Sequence, residues 1–158
     1  MHRYDFDPYV FIEGFPLAGV QSVGWLAAGE RIRTGTLPAE LLQKLTDVAA
    51  HHVNPSRGFH PCPFCGRRQL TASTSTGKRV WLGSAEVWLP GPSTMFAAPN
   101  LIVHYIGAHG YLPPDQYIAA LESVDVNVWT PSRELGAELL EIQYPSEAGP
   151  AYDSDLDE

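Results

Sequence analysis

Residues 60–66 of the chain read HPCPFCG, and they contain its only two cysteines, Cys62 and Cys65. A C-x-x-C pair with proline inside it and glycine after it is typical of a knuckle that presents both sulfurs to one metal ion. Gly66 permits the left-handed turn that directs backbone N–H groups at the thiolates. The stretch therefore predicts a metal site around which the domain is organised.

Two histidines in the segment HYIGAH, His104 and His109, are the candidates for the remaining ligands. Cys-x2-Cys followed by His-x4-His is a four-ligand set for zinc, which suits two thiolates and two imidazoles in a tetrahedron. Residues five apart on a straight helix differ by about 140°, so both rings reach one ion only if the helix loosens at its end. Gly107 and Gly110 favour that loosening, and His60 is the alternate ligand.

The ligand count separates a structural zinc from a catalytic one. Four protein ligands close the coordination shell, whereas a catalytic zinc keeps one position for water. The chain has no HExxH motif, and no H-x-E precedes its P-C-x-x-C as in zinc deaminases. If only three ligands bind, a zinc hydrolase with Glu86 or a second histidine as base is an alternative. Prolines beside Cys62 disfavour the helix N-terminus of a redox C-x-x-C. We therefore predict Zn2+ as the cofactor and assign no catalytic residue.

The charge of the chain is unevenly distributed. The net charge is −8, which argues against nucleic acid as the default partner. However, no acid occurs between Asp47 and Glu86. The basic residues of that stretch are Arg57, Arg67, Arg68, Lys78 and Arg79. They form either a solvated loop or a patch for phosphate, nucleic acid or an acidic partner.

The hydrophobic pattern predicts an α+β fold. An apolar stripe and Pro38 in the first turn indicate a helix over 37–52. Further helices are predicted over 99–108, 114–123 and 131–141. Strands are predicted over 21–27, 30–33, 78–82, 85–89, 94–97 and 124–129, after an extended lead-in over 1–20. We expect one domain over 1–144, in which a small antiparallel sheet packs on two to three helices and the zinc knuckle is pinned to a helix. Residues 145–158 are predicted to be an acidic, disordered tail.

Three segments carry a resemblance to a known family. They are SVGWL at 22–26, RGFHPCPFC at 57–65, and the segment 97–114, which contains NLIVHYI, HGY and PP. Together they resemble a family of small uncharacterised bacterial proteins over about residues 5–121. The resemblance implies one cytoplasmic domain in which the cysteines and histidines act jointly. It implies no activity, and residues after Trp129 lie outside it.

These observations favour a binding protein over an enzyme. The start of the chain has acids where a signal peptide needs an apolar run, and no apolar run approaches the roughly 18 residues of a membrane span. We expect a cytoplasmic binding or regulatory module that contacts another protein, such as an inhibitor or immunity-type protein. The alternatives are a nucleic-acid or phosphate-binding zinc module that uses the basic stretch, and the zinc hydrolase.

Overall fold

The computed structural model describes residues 2–146, in which the chain forms six strands and four helices. The strands are β1 (Pro8–Ile12), β2 (Phe15–Ser22), β3 (Thr71–Ser73), β4 (Arg79–Trp81), β5 (Glu86–Pro90) and β6 (Met95–Pro99). The helices are α1 (Ala39–Ala49), α2 (Ile102–His109), α3 (Asp115–Ser123) and α4 (Leu135–Gln143). The predicted α+β class is confirmed.

The main sheet is mixed, with strand order β1-β2-β6-β5, and β3 pairs with β4 in a separate hairpin. The β1–β2 and β5–β6 pairs are antiparallel. The prediction of an antiparallel sheet is wrong for β2 and β6, which run parallel with Val20 opposite Met95 and Ser22 opposite Ala97. Residues 23–94 connect these two strands, and so long a crossover allows the parallel direction.

Both faces of the sheet are covered by other parts of the chain. As a result, the side chains of β5 are buried on both faces, and its sequence is almost entirely apolar. Val87 and Leu89 lie in the larger core, against which α1 and α3 pack. Trp88 points to the opposite face, where it joins a smaller cluster with Tyr9. Helix α4 packs on that side against β1 and β2, and its Leu139 contacts the smaller cluster. A strand buried on both faces carries no polar alternation.

Several predicted strands are absent or shifted. The strand predicted over 21–27 ends at Ser22, because Gly24 has a left-handed φ of 74°. The segment predicted as a strand over 30–33 contains none, and the segment 1–20, predicted as an extended or looped lead-in, contains β1 and most of β2. The segment 124–129 is a turn, since the Asp125 carbonyl accepts hydrogen bonds from two following N–H groups.

The four predicted helices are present with ends shifted by a few residues. The acidic tail predicted over 145–158 lies outside the described residues beyond Ser146. Among residues 2–146, no helix combines the length and the apolar character that crossing a membrane requires.

Candidate metal centre

The knuckle is a tight turn closed by its own backbone. The N–H of Gly66 donates to the Cys62 carbonyl at 2.8 Å, and the N–H of Cys62 donates to the Arg67 carbonyl at 2.9 Å. Gly66 has a φ of 70°, so the left-handed turn predicted from its sequence is present. The N–H groups of Phe64 and Cys65 are directed at the Cys62 sulfur. These two N–H groups lower the pKa of the Cys62 thiol and oppose the larger effect of its burial.

The last turn of α2 brings the two histidines together. Gly110 follows the helix in a left-handed conformation, and its N–H donates to the carbonyl of Tyr105, five residues back. A bond of this reach widens the final turn, which is the loosening that the spacing of the histidines requires. As a result the Nε2 atoms of His104 and His109 lie 3.2 Å apart.

Four ligand atoms meet between the knuckle and α2. The Cys62 sulfur lies 3.4 Å from the His109 Nε2, and the Cys65 sulfur lies 3.5 Å from the His104 Nε2. All four ligand atoms are within 4.8 Å of one another, close enough to hold a single metal ion. Within residues 2–146 this is the one group of at least three such side chains with that geometry. The predicted set of two cysteines and two histidines is therefore brought together.

An aromatic contact docks the knuckle on the helix independently of any metal. The Phe64 ring, inside the C-x-x-C, meets the Tyr105 ring edge-on at 5.7 Å and the His109 ring at 5.2 Å. Cys62 is buried and Cys65 is exposed, so one sulfur faces the core and the other faces solvent. The site thus lies at the surface, with its inner ligand enclosed by packed side chains.

The partly buried position of the group shifts the pKa values of Cys62 and His104. Burial raises the pKa of the Cys62 thiol, against the opposing effect of the N–H groups directed at it. Burial, together with the nearby His109 and Arg67, lowers the pKa of His104 and favours the neutral imidazole. Neutral imidazole is the form that coordinates a metal. A bound cation would in turn favour the thiolate at Cys62.

The other predicted residues lie outside the metal group, which consists of Cys62, Cys65, His104 and His109. His60, the alternate ligand, donates its N–H to the Gly83 carbonyl at 2.8 Å and is not a member of the group. The five basic residues of the middle stretch are all exposed: Arg57, Arg67, Arg68, Lys78 and Arg79. Arg79 lies over the Trp81 ring at 6.0 Å, and Trp81 contacts Phe59.

A second polar cluster was missed by sequence reasoning. Glu86 is 9% exposed, and its carboxylate accepts hydrogen bonds from the Tyr9 hydroxyl, the Asn54 amide and the Trp88 indole. Its partners are spread from β1 to β5, so no local motif marks the cluster. The available signal was one acid inside an apolar strand, AEVWL. Glu86, a predicted base of the zinc hydrolase alternative, belongs to this network and is not a member of the metal group.

The comparisons with known proteins place the chain in a family. The model of a family described as a domain of unknown function, DUF7919, matches residues 1–122. The chain belongs to this family. The DUF7919 match contains all four members of the metal group and ends inside α3, so α4 lies beyond it. No curated protein and no solved structure matches the chain.

Proposed function

We propose that Cys62, Cys65, His104 and His109 bind one Zn2+ that stabilises the fold of a cytoplasmic binding or regulatory module. The spacing of the ligand atoms carries this proposal. Zinc bonds of about 2.3 Å to sulfur and about 2.0–2.1 Å to nitrogen place neighbouring tetrahedral ligands about 3.3–3.8 Å apart. Two sulfur–nitrogen separations, 3.4 and 3.5 Å, lie in this range, and the two nitrogens are 3.2 Å apart, just below it. All four atoms lie within 4.8 Å of one another, so small shifts would bring them onto one ion. The four donors would fill the shell, which supports a structural role over a hydrolytic one.

Metal analysis of the purified protein tests the zinc. We expect one zinc per chain in the wild type, none in Cys62→Ser, and a greatly reduced content in His109→Ala. His60→Ala is the matched control, because it removes a neighbouring histidine outside the group, and it should keep one zinc. A folded wild type without metal would overturn the proposal, and loss of zinc in His60→Ala would replace His109 as the ligand.

For the proposed protein partner we select a groove away from the metal group as the binding surface. A groove of about 900 Å3 lies between the β5–β6 turn and α3, with Phe6, Phe96 and Trp129 in its lining and Asp125 at its edge. Val128 is part of it and is 75% exposed. An apolar groove with an acidic edge, on a chain of net charge −8, fits a partner that presents an apolar side chain flanked by basic residues.

Two matched substitutions test the groove. A partner isolated with the wild type and then purified should bind Ile142→Asp normally and Val128→Asp at least about tenfold more weakly, a difference of about 1.4 kcal/mol. Ile142 is a fair control because it is 77% exposed and is not part of the groove. Higher salt should weaken the wild-type complex. Equal loss in both variants, or no salt effect, would contradict the assignment.

A nucleic-acid-binding function is the second candidate, favoured by one observation. The exposed Trp81 ring, the half-buried Phe59 ring beside it and Arg79 over Trp81 combine the stacking surface and the cation that single strands use. Titration of a labelled oligonucleotide at several salt concentrations tests it. Binding at low salt that falls in Arg67→Ala, Arg68→Ala and Arg79→Ala would support this function, and no binding at low salt would exclude it.

A further inference from the structure

A cavity of about 510 Å3 lies between the N-terminal segment and the outer side of the knuckle. Its walls include the aromatic rings of Tyr9, Trp25 and Tyr105, and its polar lining includes Asn54 and Glu86. None of the four metal-group residues lines it. A concave, mostly apolar space of this size with a few convergent polar groups is typical of a small-molecule site.

Glu86 is the acid in the lining of this cavity, is 9% exposed, and shares the lining with Arg3. Its carboxylate lies 2.6 and 2.8 Å from the Tyr9 hydroxyl, 2.7 Å from the Asn54 amide nitrogen and 3.1 Å from the Trp88 indole nitrogen. These three donors are neutral, so they orient the carboxylate without cancelling its charge. A carboxylate held in this way is a ready counter-charge for a cation that enters the cavity.

The aromatic wall already attracts a cation of the chain itself. The Arg3 guanidinium lies 5.2 Å from the centre of the Tyr9 ring and 5.0 Å from that of the Trp25 ring. One of its nitrogens donates to the Val10 carbonyl at 2.7 Å. Rings that face a cation at these distances provide a favourable electrostatic environment for positive charge.

We infer that this cavity binds a small organic cation, with an amine directed at Glu86 and an apolar body between Tyr9, Trp25 and Tyr105. Arg3 is attracted by the same carboxylate and lies over the Tyr9 and Trp25 rings, so its guanidinium competes with the ligand for these groups. The inference goes beyond the proposed function and does not depend on it, because it concerns neither the metal nor the groove near α3.

Three probes of equal size and different charge test the inference on the intact protein as purified. Calorimetry with 2-phenylethylamine, 2-phenylethanol and phenylacetate compares a cation, a neutral molecule and an anion with the same ring. We expect the amine to bind about tenfold more tightly than the alcohol, and the anion more weakly still. This comparison uses the wild type alone. An anion that binds best, or an amine that does not bind, would overturn the inference.

Two substitutions should change amine affinity in opposite directions. Glu86→Gln is expected to weaken amine binding to the level of the alcohol, and Arg3→Ala to strengthen it by at least about threefold, because a like charge is removed. Glu122→Gln and Arg31→Ala, which lie on the exposed surface away from the cavity, are the matched controls and should leave affinity unchanged. The reverse pattern, with Arg3→Ala abolishing binding, would identify an anion site instead. Zinc content measured on the same samples separates this outcome from failure of the metal site.

Discussion

The β5–β6 hairpin and the knuckle segment, residues 54–70, lie side by side but are held together by different interactions. The hairpin pairs five residues on each strand, and most of its side chains are buried. The knuckle segment contains no helix or strand, and its buried apolar side chains are Cys62 and Leu70. Apolar burial accounts for the stability of the hairpin, whereas the knuckle segment depends on a few backbone hydrogen bonds and, as proposed, on zinc.

Removal of the metal should have the largest effect, and it should separate the two regions. After treatment with a strong chelator, we expect amide exchange in the knuckle segment and in α2 to approach unprotected rates, while β5 and β6 keep the slowest exchange. The reason is that zinc would contribute most of the binding energy of the knuckle. Measurement of exchange by mass spectrometry with and without Zn2+ checks this. Identical exchange patterns would show that the knuckle segment is stable without metal.

Two tryptophan substitutions test whether apolar burial accounts for the stability of the β5–β6 hairpin. Trp88 is fully buried on β5, and Trp81 on β4 is 42% exposed. Trp88→Ala should lower the free energy of unfolding by about 3–5 kcal/mol, because it leaves a large cavity in the core. Trp81→Ala should cost well under half of that. Denaturant unfolding of both variants, each with its zinc content measured, checks the difference.

Either variant of the tryptophan pair should retain one zinc per chain, since neither side chain contacts the metal group. Similar losses of stability in the two variants would contradict the assignment of the hairpin as the core of the domain.

Substitution of two glycines, one in the knuckle and one outside it, should have a smaller effect on stability and should separate backbone strain from zinc binding. Gly66 in the knuckle and Gly77 in the β3–β4 turn both have positive φ, 70° and 84°, and an added Cβ would meet nothing within 4 Å at either position. Alanine at each should therefore cost about 1–2 kcal/mol from backbone strain alone. Only Gly66→Ala should also weaken zinc binding, because it distorts the turn that presents Cys62 and Cys65.

Competition with a chromogenic chelator measures the zinc affinity of both glycine variants. Equal zinc affinity would mean that the turn at Gly66 does not set the position of the sulfurs.

The sequence was sufficient to predict the metal group because its chemistry is local. Cys62 and Cys65 form one turn, and His104 and His109 lie in one short helix, so two short patterns specify the four members of the group. Pairing between distant strands could not be predicted, since nothing in β2 indicates that β6 will lie beside it in parallel. The turn at 124–129 was missed for a related reason, because alternating valines look like a strand until Asp125 closes the backbone on itself.

The smallest predicted effect concerns Glu86, whose burial raises the pKa of its carboxyl above the usual 4.5, although bonds from Tyr9, Asn54 and Trp88 and the nearby Arg3 oppose this. A raised pKa means that the folded chain binds this proton at a higher pH than the unfolded chain does. The resulting stabilisation is full below pH 4.5 and is lost as the pH rises through the folded-state pKa.

Glu86→Gln removes that titration, so the free energy of unfolding of the variant relative to wild type should increase between pH 4 and 7. Each unit of pKa difference corresponds to about 1.4 kcal/mol. Tyr9→Phe, which removes one of the opposing hydrogen bonds, should raise the carboxyl pKa further and steepen the loss of stability with pH. Urea unfolding of the three proteins across this pH range measures both slopes. A relative stability of Glu86→Gln that is flat or falls with pH would show that the hydrogen bonds to the carboxylate outweigh its burial.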